Sequence, residues 1–288
     1  MRSTGIWTLC VLLFAIHAYG AEEEKNDPIP STVETLRDPL HPGNAVNLNL
    51  SVLTGATQGN SNIQVQVTHS FTDSFTAGVT VPYLLHEKIP SVVGSKTPRI
   101  GGNNFNRIVV DGLARFLGDE RSYLNLDLLI GLPFQSDPAL QNSAYDSFMF
   151  GGILTGHYRF SLFAVEASFS DANGFPVHQV IKGGDHFLDS INYVTYSLQL
   201  FYYPTDRLDL KIGLTETEPL RTDVGTDIDY TFIISESSTS RRDALGFGFD
   251  YALDRDSTLL SGSVNYLTSG TTNTKGGIQI TGGLKWIF

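Results

Sequence analysis

The chain has 288 residues and a formal net charge of −11, with 19 Lys and Arg against 30 Asp and Glu, which leaves too few basic residues for nucleic acid to be an expected partner. One cysteine excludes a disulfide framework and a thiolate metal cage. Eighteen Phe and 12 Tyr favour strands over helices.

The first 20 residues read as an export signal peptide. Arg2 supplies the positive start, Ile6 to Ile16 is an uncharged apolar run, and Ala18-Tyr19-Gly20 offers a cleavage site. The run falls short of the roughly 20 residues that a spanning helix requires. Cys10 lies inside it and leaves with it. Residues 21–44 are polar and contain proline, and read as a mobile periplasmic tail, a spacer in preference to a plug.

From Ala45 the pattern becomes strict alternation. Val46, Leu48, Leu50 and Val52 alternate with Asn47, Asn49 and Ser51, and Leu208, Leu210, Ile212 and Leu214 with Asp209 and Lys211. Such segments recur near 45–55, 61–71, 74–86, 106–117, 121–133, 146–159, 161–173, 189–203, 207–218, 240–252, 256–268 and 275–288. Most exceed the usual five or six residues of a globular strand and suit tilted membrane-spanning strands. Short turns such as Thr72-Asp73-Ser74 and Thr205-Asp206-Arg207 alternate with long loops such as 87–105, 174–188 and 219–239. The expected fold is all-β: a closed antiparallel transmembrane meander barrel of about 12 strands over residues 45–288, with both termini periplasmic. Closure follows because no backbone edge can stay unpaired in lipid, so the first strand should pair with the last.

The apolar face should point outward. Twelve strands enclose more space than apolar side chains fill. The polar face also carries charges in mid-strand: Arg107, Asp111, Arg115, Asp127, Arg159, Glu166, Asp209, Lys211, Asp250 and Lys285, with His157 among them. Those charges suit a wet lumen, and these residues are the candidate pore lining. Arg107, Asp111, Arg115, Asp127 and Lys285 point to a network that either selects solutes or rigidifies the lumen. Leu53, Leu129, Met149, Ile153, Phe201 and Tyr203 share the inward register. Aromatics at strand ends, among them Phe75, Tyr83, Phe116, Tyr202 and Trp286, form expected interfacial girdles. The chain ends on a strand with Leu284, Trp286 and Phe288 on one face, which is similar to the C-terminal assembly signal of bacterial outer-membrane proteins.

No catalytic constellation stands out. None of His41, His69, His86, His157, His178 and His186 is followed two positions later by Ser, as outer-membrane phospholipases require. His178 and His186 with Asp185 and Asp189 match no metal spacing, and Asp223, Asp227 and Asp229 lack the terminal glutamate of an EF-hand. No cofactor and no metal are expected.

Phe71-Thr72-Asp73-Ser74-Phe75, running on to Pro82-Tyr83, and Tyr203-Pro204-Thr205-Asp206-Arg207 with the strand after it resemble the turn-then-strand segments of the bacterial family named for the phenol-degradation meta pathway. Leu253-Asp254-Arg255-Asp256-Ser257 repeats the idea, and the resemblance runs over most of 45–288. It implies an outer-membrane barrel that passes aromatic or other hydrophobic compounds. The expected function is a passive outer-membrane channel for small solutes. Expected partners are outer-membrane lipid and lipopolysaccharide, the outer-membrane assembly machinery and the solute. The alternatives are a barrel enzyme acting on lipid and a closed scaffold or adhesin barrel.

Overall fold

Strict alternation becomes a closed wall in the computed structural model. It describes residues 31–41, 43–54, 59–89, 99–101, 104–105, 108–118, 121–132, 148–174, 177–181, 184–188, 192–219, 242–268 and 276–288. The long strands are β1 (Asn44–Thr54), β2 (Gly59–Thr72), β3 (Phe75–Ile89), β6 (Ile108–Gly118), β7 (Ser122–Leu132), β8 (Met149–Phe160), β9 (Phe163–Gly174), β12 (Asn192–Thr205), β13 (Leu208–Pro219), β14 (Arg242–Ala252), β15 (Thr258–Leu267) and β16 (Ile278–Ile287). Each pairs antiparallel with its predecessor among these, and β1 pairs β16 from Ala45↔Ile287 to Thr54↔Ile278, which closes a barrel of 12 strands. The seam is finished by Asn44 and Phe288, which exchange backbone bonds of 3.1 and 2.9 Å.

Each of the 12 expected segments is matched by one of these strands. The structure adds short elements where loops were expected. β4 (Arg99–Gly101) and β5 (Asn104–Phe105) pair with the far part of β3, and β10 (Val177–Ile181) and β11 (Gly184–Leu188) form a separate hairpin that contains His178 and His186. Phe75–Thr80 is the part of β3 that pairs with β6.

The pleat sends alternate side chains to opposite faces. Leu48, Leu50, Val65, Val67, Leu128, Ile130, Leu214, Phe247 and Ile280 face outward and are exposed. So much uncovered apolar surface on a monomer is a lipid-facing belt, not a water-facing one. Phe75, Phe116, Phe148, Tyr202, Tyr266, Trp286 and Phe288 lie on the same outer surface near strand ends, as expected of girdles. Leu284 joins Trp286 and Phe288 there, so the terminal motif presents one apolar face.

Leu128, in mid-β7, is 59% exposed on this belt. Leu128→Arg is therefore expected to lower barrel stability by about 2–4 kcal/mol in lipid, because a guanidinium would sit in hydrocarbon. Urea unfolding in phospholipid vesicles measures the change, and wild-type stability in the variant would place Leu128 outside the lipid belt.

Tight turns sit at one end of the barrel. Gly118 closes β6 at φ +90°, and an added Cβ would collide with the carbonyl oxygen of Ser122, so only glycine fits. The docked segment, residues 31–41, begins at this same turn end, where Thr32 meets Asp206, and Phe288 lies there too.

Candidate functional site

Residues 31–41 are not a mobile spacer. They dock inside the turn end of the lumen. The short helix α1 (Thr32–Arg37) is capped by Ser31, whose Oγ accepts from the Glu34 N–H at 3.4 Å. Six residues are too few for a helix to persist alone in water, so the wall must hold it. At its start the Asp206 carboxylate accepts from the Thr32 N–H at 2.9 Å and from the Thr32 hydroxyl at 2.7 Å. The Asp206 carbonyl accepts from the Val33 N–H at 3.1 Å. Val33 and Leu36 are fully buried in a cluster with Phe201, Tyr203, Ala252 and Leu259. These apolar contacts explain why Phe201 and Tyr203 are turned into an otherwise polar lumen.

The charged side of the segment meets the charged wall. Arg37 donates to Asp209 at 2.6 Å and to the Tyr203 hydroxyl at 2.8 Å, stands 4.0 Å from Asp250, and stacks 4.1 Å over the Phe201 ring. Glu34 pairs with Arg159 and lies 3.5 Å from His157 Nε2. The other ring nitrogen of His157 is 3.4 Å from Glu166, and its ring stacks on Tyr123 at 4.9 Å. Asp38 accepts both 2.7 and 2.9 Å bonds from Arg115, and its carbonyl accepts from Lys285 at 3.1 Å. Beyond α1, the carbonyls of Pro39 and His41 accept from Thr76 and Ser70. Lys211 holds Asp250 at 2.9 and 3.0 Å on the wall itself.

These pairs fix the ionisation of the segment. Burial pushes the Glu34 carboxyl up, but His157 and Arg159 together pull it lower, to a net position below the ordinary 4.5. The Thr32 hydroxyl and N–H hold Asp206 below its ordinary 3.8.

Asp111, Arg115, Asp127, His157, Arg159, Glu166, Asp209, Lys211, Asp250 and Lys285 all fall on the inward register. Arg107 lies outside the described residues, as does the loop carrying Asp223, Asp227 and Asp229. The expected network among Asp111, Arg115, Asp127 and Lys285 does not run wall to wall. Arg115 and Lys285 meet at Asp38, a residue of the docked segment. Asp111 and Asp127 stand apart from it and face a chamber of about 380 Å³ that Arg37 and Pro39 bound on the turn side. Gly78 makes room for Asp111: a Cβ there would lie 2.7 Å from its carboxylate. Asn47 donates to Gln66 at 3.1 Å, and Gln66 hydrogen-bonds Asp111. Among the described residues no group of three or more His, Cys, Asp or Glu is placed to hold a metal ion.

Sequence reasoning missed Glu34, Arg37 and Asp38. A signal was present. Ser31-Thr32-Val33-Glu34 has the Ser-x-x-Glu spacing of a capping box, with Val33 and Leu36 one turn apart and Arg37 in the last turn.

No family model matches the sequence, and no curated protein matches it either. Solved structures do match. An outer-membrane channel from Pseudomonas putida F1 superposes with a TM-score of 0.63 at 10% identity, covering 93% of this chain and 99% of that one. The NanC porin gives 0.53 at 8% identity over 84% of this chain and 100% of that one. The β domain of the Bordetella autotransporter BrkA gives 0.53 at 15% identity over 85% and 99%. At these identities the likeness is one of fold: all three are bacterial membrane-barrel architectures with which this chain shares its wall.

Proposed function

We propose that the protein is an outer-membrane channel for the passive passage of small solutes, narrowed at its turn end by residues 31–41. The observation that carries this reading is the pairing of an apolar outer belt with a polar chamber inside a closed barrel. A barrel that served only as a structural wall would not need a chamber lined by Asn49, Gln66, Thr68 and Ser261. The likeness to an outer-membrane channel and a porin supports the same reading. In this orientation the turns, both termini and the docked segment face the periplasm, and the long loops face outward. The belt meets outer-membrane lipid and lipopolysaccharide, and Leu284, Trp286 and Phe288 present the terminal strand to the assembly machinery.

The solute follows from the lining. Amides, hydroxyls and carboxylates suit hydrophilic solutes. The hydrophobic or aromatic solutes implied by the family resemblance would use Phe201 and Tyr203, which Arg37 covers in the docked state. Displacing the segment would uncover them.

The test is conductance in planar bilayers for the chain from residue 21 and for a chain that lacks residues 21–41. Stepwise conductance that grows on deletion is the expected result. The dense anchoring of residues 31–41 favours one competing reading, a closed scaffold barrel. Silence in the first chain at every voltage, with conductance only after deletion, would support that reading. Silence in both heat-modifiable barrels would end the channel reading.

A further inference from the structure

Resting on that channel reading, we infer that the chamber is an electrostatic filter that admits neutral and cationic hydrophilic solutes and turns anions back, with Asp111 and Asp127 setting its sign. The docked segment decides which lumen charges stay active. Arg115 is neutralised by Asp38, Arg159 by Glu34, Arg37 by Asp209, and Lys211 by Asp250. Lys285 gives its ammonium to the Asp38 carbonyl beside the segment. Asp111 and Asp127 have no ion-pair partner among the described residues, and one buried oxygen of Asp127 has no hydrogen-bond donor.

Register places the two acids on one face. Asp111 stands opposite Leu129 and Asp127 opposite Leu113 across β6 and β7, so they are diagonal neighbours on the inner surface. At the roughly 7–8 Å of a diagonal pair each acid contributes its own field to the chamber. The facing wall carries the closed Lys211–Asp250 ion pair and Lys285, which is turned to the Asp38 carbonyl, while Asn47, Asn49 and Ser261 offer hydrogen bonds to a solute of either charge. Carboxylate charge on this pair, inside a narrow, low-dielectric wall, concentrates cations and depletes anions along the path. The described residues bring no third His, Cys, Asp or Glu to the pair.

Reversal potential tests this, measured in a planar bilayer under a KCl gradient with the chain from residue 21. Potassium is expected to pass several-fold more readily than chloride. Asp111→Asn and Asp127→Asn should each lower that ratio, and the double variant should bring it to unity or invert it, because Lys285 would then be the unbalanced charge. Lys285→Gln should raise it. Where an Asn variant fails to fold, Asp111→Ser or Asp127→Ser removes the same charge with the docked segment in place. A chloride preference, or a ratio that neither the Asn nor the Ser variants move, would overturn the filter and leave the channel standing. No conductance at all, including from the chain that lacks residues 21–41, would overturn both.

Discussion

Arg37→Ala is expected to release the docked segment and raise single-channel conductance. The guanidinium joins three supports at once: the Asp209 carboxylate at 2.6 Å, the Tyr203 hydroxyl at 2.8 Å and the Phe201 ring at 4.1 Å. Asp209 is fully buried, so the variant strands an unpaired carboxylate under the helix. Removing one partner of such a pair costs about 3–5 kcal/mol, most of it the penalty on the charge left behind. At about 1.4 kcal/mol per tenfold, the docked-to-released ratio should fall on the order of a hundred- to several-thousand-fold. Adding Asp209→Asn should recover part of the loss, since it removes the stranded charge. Arg37→Lys should open the barrel less than alanine, because an ammonium keeps the charge but cannot reach Asp209 and stack on Phe201 together. Conductance of Arg37→Ala equal to wild type, in a barrel shown to be folded by heat modifiability, would mean that the segment does not restrict the path.

The wall was legible in the sequence and its contents were not, for one physical reason. A strand that faces lipid on one side and water on the other writes its geometry into alternate residues, so β1 or β13 can be placed from Val46 to Val52 or Leu208 to Leu214 alone. Closure by β1 and β16 follows from the demand that lipid makes on every backbone amide. The lumen side obeys a weaker rule: it must only be polar. Asp209, Arg115 and Arg159 could be assigned to it, but their partners lie 172, 77 and 125 residues away in sequence, on a segment with no period of its own. Phe201 and Tyr203 were the clue. Two large aromatics on the inward register of β12 have no reason to face water, and they are the residues that Val33 and Leu36 cover.

Acid should release the segment as well, and Glu34 should control the response. Glu34 ionises below its ordinary 4.5 in the docked state, and Asp206 below its ordinary 3.8. A carboxyl whose docked value is depressed adds its full stabilisation above the released value and loses it as pH falls through the docked one. Docking is therefore strongest near neutral pH and weakens as pH falls below about 4.5. Protonating Glu34 costs more than its own bond. Arg159 and His157 are almost fully buried and share that one carboxylate, so its neutralisation leaves Arg159 and a protonated His157 facing each other with Glu166 as the remaining anion beside the histidine. Conductance of the wild-type protein should rise as pH is lowered from about 5 toward about 3. Glu34→Gln should carry that raised conductance at neutral pH already and show a flatter acid response, since the charge to be lost is absent. Asp206→Asn should move the midpoint less, because Asp206 lies at the exposed start of α1 and its bonds to Thr32 are screened by water. Asp111 and Asp127 line the chamber above the segment, so losing their charge changes ion preference without opening the turn end. A Glu34→Gln protein that keeps wild-type conductance at neutral pH and the full acid rise would assign the acid response to some other carboxylate and remove Glu34 from the latch.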